Sequence, residues 1–199
     1  MNMKYIMSNE RKEIIIGQGQ KVVLYRIVSL RDFTAFALKR KVKYEEGNRI
    51  VYYQIEEKPI RVGQKGGFVQ SLKNLSQEGN CWIDDDAFAC GQSLVEDDAY
   101  LGDHAAIGDR VRLSESTKVT DFVQLGGSMQ LCGKSKAIGS GSYKDEKRFR
   151  DTFIGKDIVQ NPKPISDKKL SKSSEKPLGG KIKIECQIDG KRIVNDFEF

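Results

Sequence analysis

A small set of apolar residues returns at every sixth position of this chain, from Ile83 to about Ser142, without an insertion. The first positions of these ten hexads are Ile83, Ala89, Val95, Leu101, Ile107, Leu113, Val119, Leu125, Leu131 and Ala137. Four places later stand mostly small residues, among them Ala87, Ser93, Ala99, Ala105, Thr117 and Ser135. A period of six fits neither an amphipathic helix nor an alternating strand. It suits a chain that turns a corner after each short strand, with one large side chain inward per face and a small one at the corner. Internal repetition of this kind implies a parallel β-solenoid. With three faces to a coil of 18 residues, the hexads supply about three coils, roughly 15 Å at strand spacing. The expected fold is therefore all-β: a short parallel β-solenoid with a β-rich N-terminal cap and a C-terminal β-hairpin.

Two consecutive hexads, Leu101-Gly102-Asp103-x-Ala105 and Ile107-Gly108-Asp109-x-Val111, resemble the hexapeptide-repeat left-handed β-helix family. Upstream, Leu30-Arg31-Asp32-Phe33, Gly66-Gly67-Phe68-Val69, Asn74-Leu75-Ser76 and Gly79-Asn80-Cys81-Trp82-Ile83 are similar to the entry segment of small, uncharacterised, acetyltransferase-like bacterial members. The resemblance implies left-handed winding. It also implies an acyl-CoA donor and a histidine base if the chain is an enzyme. About 30 residues inserted between Phe33 and Gly66, and a shorter helix, depart from that pattern.

Domain organisation follows from composition. Residues 1–74 read as a β-rich cap carrying an inserted hairpin at about 37–64, and 75–142 as the solenoid. Residues 143–160 read as a C-terminal cap containing a short amphipathic helix over Tyr143–Arg150, with the preceding glycine-serine run as a flexible exit from the coils. Residues 161–180, rich in Lys, Ser and Pro, form a linker too polar to fold alone. Residues 181–199 form a hairpin around Asp189-Gly190, which needs a docking surface because a lone hairpin is marginal in water. Gly66 and Gly67 mark a close backbone approach where the cap meets the first coil, and Trp82 plugs that junction.

Charge is segregated along the chain. Residues 1–74 hold 15 basic against 7 acidic residues, 75–142 hold 5 against 11, and 143–199 hold 14 against 10. A basic cap and tail bracket an acidic solenoid, a polarity that can steer partners or hold protomers together. No run approaches 18 apolar residues and the N-terminus lacks the pattern of a secretory signal, so a cytoplasmic protein with no membrane partner is expected. Cys81, Cys90, Cys132 and Cys186 lack Cys-x-x-Cys spacing and read as buried or idle thiols.

Three groups of residues could carry chemistry. Stacking at 18 residues aligns Asp85, Asp103 and Asp121, which either satisfy turn amides or hold a divalent cation. His104, the only histidine, stacks between Asp86 and Phe122, and with Asp86 is the candidate base of an acyltransferase. Tyr44, Arg49, Tyr52, Ile184 and Phe197 on the two hairpins are candidate partner contacts. The preferred reading is a non-catalytic scaffold that binds a protein partner or self-assembles, with a homo-oligomer expected and no required cofactor. The alternative is an acyl-CoA-dependent acyltransferase. A nucleic-acid-binding or nucleic-acid-mimicking module is the third reading, permitted by the basic cap and opposed by the acidic coils.

Overall fold

The computed structural model describes the backbone of residues 3–16, 19–45, 48–155, 182–188 and 191–197. The chain divides into two compact units, one of residues 1–38 and 55–157 and the other of residues 39–54 and 158–199. The linker at 161–180 and the Asp189-Gly190 turn lie outside the described residues.

In the first unit, β1 (Tyr5–Ile16) and β2 (Gln20–Ser29) form an antiparallel hairpin. Two long strands follow, β3 (Phe33–Glu45) and β4 (Asn48–Ile60), whose bases belong to this unit and whose distal parts belong to the second. Strand β5 (Lys65–Val69) pairs antiparallel with β2 and parallel with the solenoid strand at Phe88–Ala89, so it joins the cap to the coils.

The coils come next. After a 3-10 turn at Leu72–Asn74 run β6 (Trp82–Ile83), β7 (Phe88–Ala89), β8 (Leu94–Val95), β9 (Tyr100–Leu101), β10 (Ala106–Ile107), β11 (Arg112–Leu113) and β12 (Lys118–Val119). They continue as β13 (Phe122–Gly127), β14 (Gln130–Cys132), β15 (Lys136–Ala137), β16 (Ser140–Asp145), β17 (Arg148–Arg150) and β18 (Phe153–Ile154).

Parallel pairing stacks the hexad positions into three columns. One is Val69, Ala89, Ile107, Leu125 and Tyr143; the second is Leu75, Val95, Leu113, Leu131 and Phe149; the third is Ile83, Leu101, Val119, Ala137 and Ile154. Through the fourth layer these side chains are buried, and with the small corner residues they make one continuous core.

The coils number about five, not three. The period changes at both ends, with eight residues from Leu75 to Ile83 and five from Phe149 to Ile154. Strict counting in sixes therefore stops short of both terminal coils. The expected helix at Tyr143–Arg150 is instead strand, in β16 and β17, because Tyr143 and Phe149 stand six apart and fill the next core layer with rings. The Gly139–Ser142 run likewise enters β16 rather than leaving the solenoid.

Sharp corners need left-handed backbone, which Asp and Gly tolerate best. Asp85, Asp103 and Asp121 have φ of 52°, 54° and 61° at one corner, and Asp97, Glu115 and Asp151 have 57°, 55° and 51° at another. At the third corner glycine and aspartate alternate as Gly91, Asp109 and Gly127. The first coil is closed by side chains from the N-terminus. Tyr5 Oη donates to the carbonyls of Leu72 and Leu75 at 2.9 and 2.7 Å, and Lys4 Nζ donates to those of Glu78 and Cys81 at 3.0 and 3.1 Å. Trp82 is fully buried there, edge-on to Phe33 at 5.5 Å between ring centroids. A Cβ on Gly66 would lie 2.5 Å from both the Ile83 carbonyl oxygen and Trp82 Cζ2, so the expected close approach is present.

In the second unit the sheet order is β20-β19-β4-β3, with β19 spanning Ile182–Ile188 and β20 spanning Lys191–Phe197. Strand β19 pairs parallel with β4 over Arg49–Tyr53, and antiparallel with β20. The C-terminal hairpin thus finds the partner strand it requires in the inserted hairpin.

Candidate functional site

The Asp85–Asp103–Asp121 corner is a backbone-capping ladder. Asp103 Oδ2 accepts from the Asp121 N–H at 3.2 Å and from the Thr120 hydroxyl, and Asp121 Oδ2 accepts from the Gly139 N–H at 2.9 Å. Asp97 and Asp109 repeat the pattern at the other corners, on Glu115 N–H at 2.9 Å and Gly127 N–H at 2.7 Å. Asp97, Asp103, Asp109 and Asp121 each reach forward one coil to a backbone amide at the same corner. Among the described residues no group of three or more His, Cys, Asp or Glu side chains is arranged to hold a metal ion.

His104 sits beside this ladder, its ring 4.9 Å from that of Phe122 and tilted by 37°. Its Nδ1 lies 3.9 Å from Asp86 Oδ2, and both side chains are about half-exposed. Asp86 also faces Arg26 at 3.6 Å, which bonds Glu10, which in turn receives Lys65 Nζ at 2.7 Å. The hydrogen bonds from Lys65 and Arg26 hold the Glu10 carboxyl below its ordinary range. Lys65, Glu10, Arg26 and Asp86 thus form a surface chain of alternating charge that ties the cap to the coils, with His104 beside its last member.

A second polar cluster lies on the outward side of the third face, where Trp82, Tyr100, Lys118 and Lys136 stack in one column and are all buried. Tyr100 Oη donates to Asp84 Oδ2 at 2.6 Å, and Lys58 from β4 donates to the same oxygen. Burial disfavours the Asp84 carboxylate, but the bonds from Lys58 and Tyr100 prevail and keep it below its usual range. Burial, aided by that carboxylate, pushes the Tyr100 phenol far up. Lys118 Nζ donates to the Asp98 carbonyl at 2.6 Å and lies 6.0 Å from the centre of the Phe36 ring on β3. Burial is the main reason its ammonium is pulled down to about 8.

Asp84, Tyr100, Lys58 and Lys118 escaped sequence reasoning. The outward column at 18-residue spacing was legible, and two aromatics in a position that ordinarily faces solvent were the available signal. That the bases of β3 and β4 belong to this face depends on tertiary contacts.

On the first face, the tip of β1 and the outer surface of the coils bound a groove of about 530 Å³, lined by Ile14, Phe88, Ala106, Gln124 and Lys144 among others. Cys81, Cys90 and Cys132 are free and buried. In the second unit Tyr44 is 74% exposed, Val42 and Arg49 are exposed, and Tyr52 is half-buried with Lys43 Nζ 5.9 Å from its ring centre. Ile184 falls opposite Val51, and Phe197 opposite Ile182; their side chains lie outside the described residues. Among the described residues no helix is long and apolar enough to cross a membrane. No protein-family model matches the chain, and no curated protein matches it.

Proposed function

We propose that this chain is a non-catalytic interaction protein, a left-handed hexapeptide-repeat solenoid that serves as platform for a protein-binding sheet. One observation carries the reading. Two hairpins far apart in sequence, the insert and the C-terminus, unite in a single four-stranded sheet grouped separately from the coils. The described part of that sheet exposes Tyr44, Val42 and Arg49, and tyrosine and arginine are the side chains that most often anchor protein interfaces. Removing residues 178–199 should leave the coils folded and abolish capture of a protein partner. Unchanged capture together with an unchanged assembly mass would count against the proposal.

The 3.9 Å approach of His104 Nδ1 to Asp86 favours a second reading, an acyltransferase in which Asp86 orients His104 to take a proton from a hydroxyl or amine acceptor. On that reading acetyl-CoA raises the thermal midpoint by binding the native state, and His104→Ala abolishes transfer while leaving the fold intact. No shift with acyl-CoA at high concentration would exclude it.

A further inference from the structure

We infer that the fifth coil is a self-docking surface, on which two copies of the chain stack end to end through the outer edges of β16, β17 and β18. The inference rests on the interaction reading and assigns self-association to the solenoid end, leaving the second unit's sheet for the protein partner.

The two ends of the solenoid differ. At the first coil Tyr5, Lys4 and β2 occupy backbone groups that would otherwise face outward. At the fifth coil all three sheets stop, with β16, β17 and β18 each the last strand of its sheet among the described residues. The ladder fixes which amides are left over. Phe88 N–H donates to the Ala105 carbonyl of the next coil, Arg112 N–H to that of Met129, and Lys136 N–H to that of Thr152. By the same register Ser142, Arg148 and Phe153 direct their N–H groups toward a sixth coil. Among the described residues the core is open at this end as well. Leu125, Leu131 and Ala137 of the fourth layer are at most 3% exposed, whereas Tyr143, Phe149 and Ile154 of the fifth are only partly buried. Unpaired strand edges over an unfinished core are a template for another β-edge.

A second copy is the occupant that fits. A single peptide strand can complete one face, whereas another fifth coil, turned over by a twofold axis across the solenoid, presents three short edges on the same triangular section. The charge is compatible, because Lys144, Lys147, Arg148 and Arg150 are nearly balanced by Asp145, Glu146 and Asp151. A twofold contact also closes on itself, yielding a dimer and no fibre.

Sedimentation equilibrium on the full chain tests this. The expected mass is twice 22.5 kDa. Ser142→Pro, which deletes an outward N–H and keeps the bonds to β13, should halve that mass while keeping a cooperative unfolding transition at the midpoint that the unmodified protein shows when diluted to monomer; Arg148→Pro is the second variant should the first fail to fold. Amide exchange on the unmodified protein gives an independent reading, with Ser142, Arg148 and Phe153 protected in the dimer and exposed on dilution. A monomer at every concentration, a dimer that survives both proline variants, or protection that persists in the monomer would each overturn the inference. Loss of the dimer on removing residues 178–199, with the dimer retained in Ser142→Pro, would overturn it too while leaving the sheet as the binding surface. Failure of the sheet reading shows separately, as partner capture that survives that deletion.

Discussion

Lys118→Met removes an ammonium that the fold has taken out of water, and its effect can be worked out from the surroundings. Lys118 is 1% exposed, has one carbonyl acceptor at 2.6 Å, and has its proton affinity lowered from 10.5 to about 8, chiefly by burial. A base whose folded value is depressed binds more protons when unfolded, so between pH 8 and 10.5 the wild type gains stability as pH rises. Keeping the charge at pH 7 costs roughly 3 kcal/mol at 1.36 kcal/mol per unit. By pH 9.5 the cost has fallen to about 1.4 kcal/mol on the same linkage. Methionine carries no proton, leaves the Asp98 carbonyl without its donor, and loses about 1–3 kcal/mol for that at every pH. The two proteins should therefore differ little at pH 7. The wild type should then gain about 2 kcal/mol on the variant by pH 9.5, or some 4–8 °C in thermal midpoint. Urea unfolding of both at pH 7, 8, 9 and 9.5 reads the difference, and the buried thiols, present in both, cancel. A wild-type minus variant difference that stays flat across that range would refute the reasoning, because Lys118 would then be solvated in the native state.

Further outcomes follow from other sites. Gly66→Ala puts a methyl within 2.5 Å of the Ile83 carbonyl and of Trp82, and should cost about 1–3 kcal/mol in urea unfolding; a neutral result would mean the junction is loose. At Asp103, with φ of 54°, alanine loses the carboxylate and keeps the strained backbone, so Asp103→Ala should be about 1 kcal/mol less stable than Asp103→Gly. The ordinary order, alanine above glycine, would contradict the left-handed corner. The Asp84 carboxyl is held below its ordinary value of 3.8, so its contribution is full above that pH and is lost as pH falls through the native value. Asp84→Asn should flatten this acid limb in pH-dependent unfolding, and an unaltered limb would place the carboxylate in solvent.

The solenoid was legible because hexad spacing is a local property: every inward residue from Ile83 to Ala137 lies where counting in sixes puts it. The terminal coils were hidden by one step of eight and one of five, and by rings at Tyr143 and Phe149 in an otherwise aliphatic column. The aspartate column was visible as a column. The turn-chemistry reading matches what Asp103 and Asp121 do, accepting from amides one coil ahead. The Asp84, Tyr100 and Lys58 cluster was not legible, because it depends on the base of β4 reaching the third face across 26 residues of sequence. The sheet of the second unit depends likewise on a parallel pairing between Arg49–Tyr53 and Ile182–Cys186, which no local pattern encodes.

The most direct test of an interaction role is affinity capture with the full chain beside its Tyr44→Asp, Arg49→Asp variant, with bound proteins identified by mass spectrometry. The wild type should retain a defined partner that the variant loses while both unfold at the same temperature. Identical capture by the two, or retention of nothing above background by either, would contradict the assignment of the sheet as a protein-binding surface.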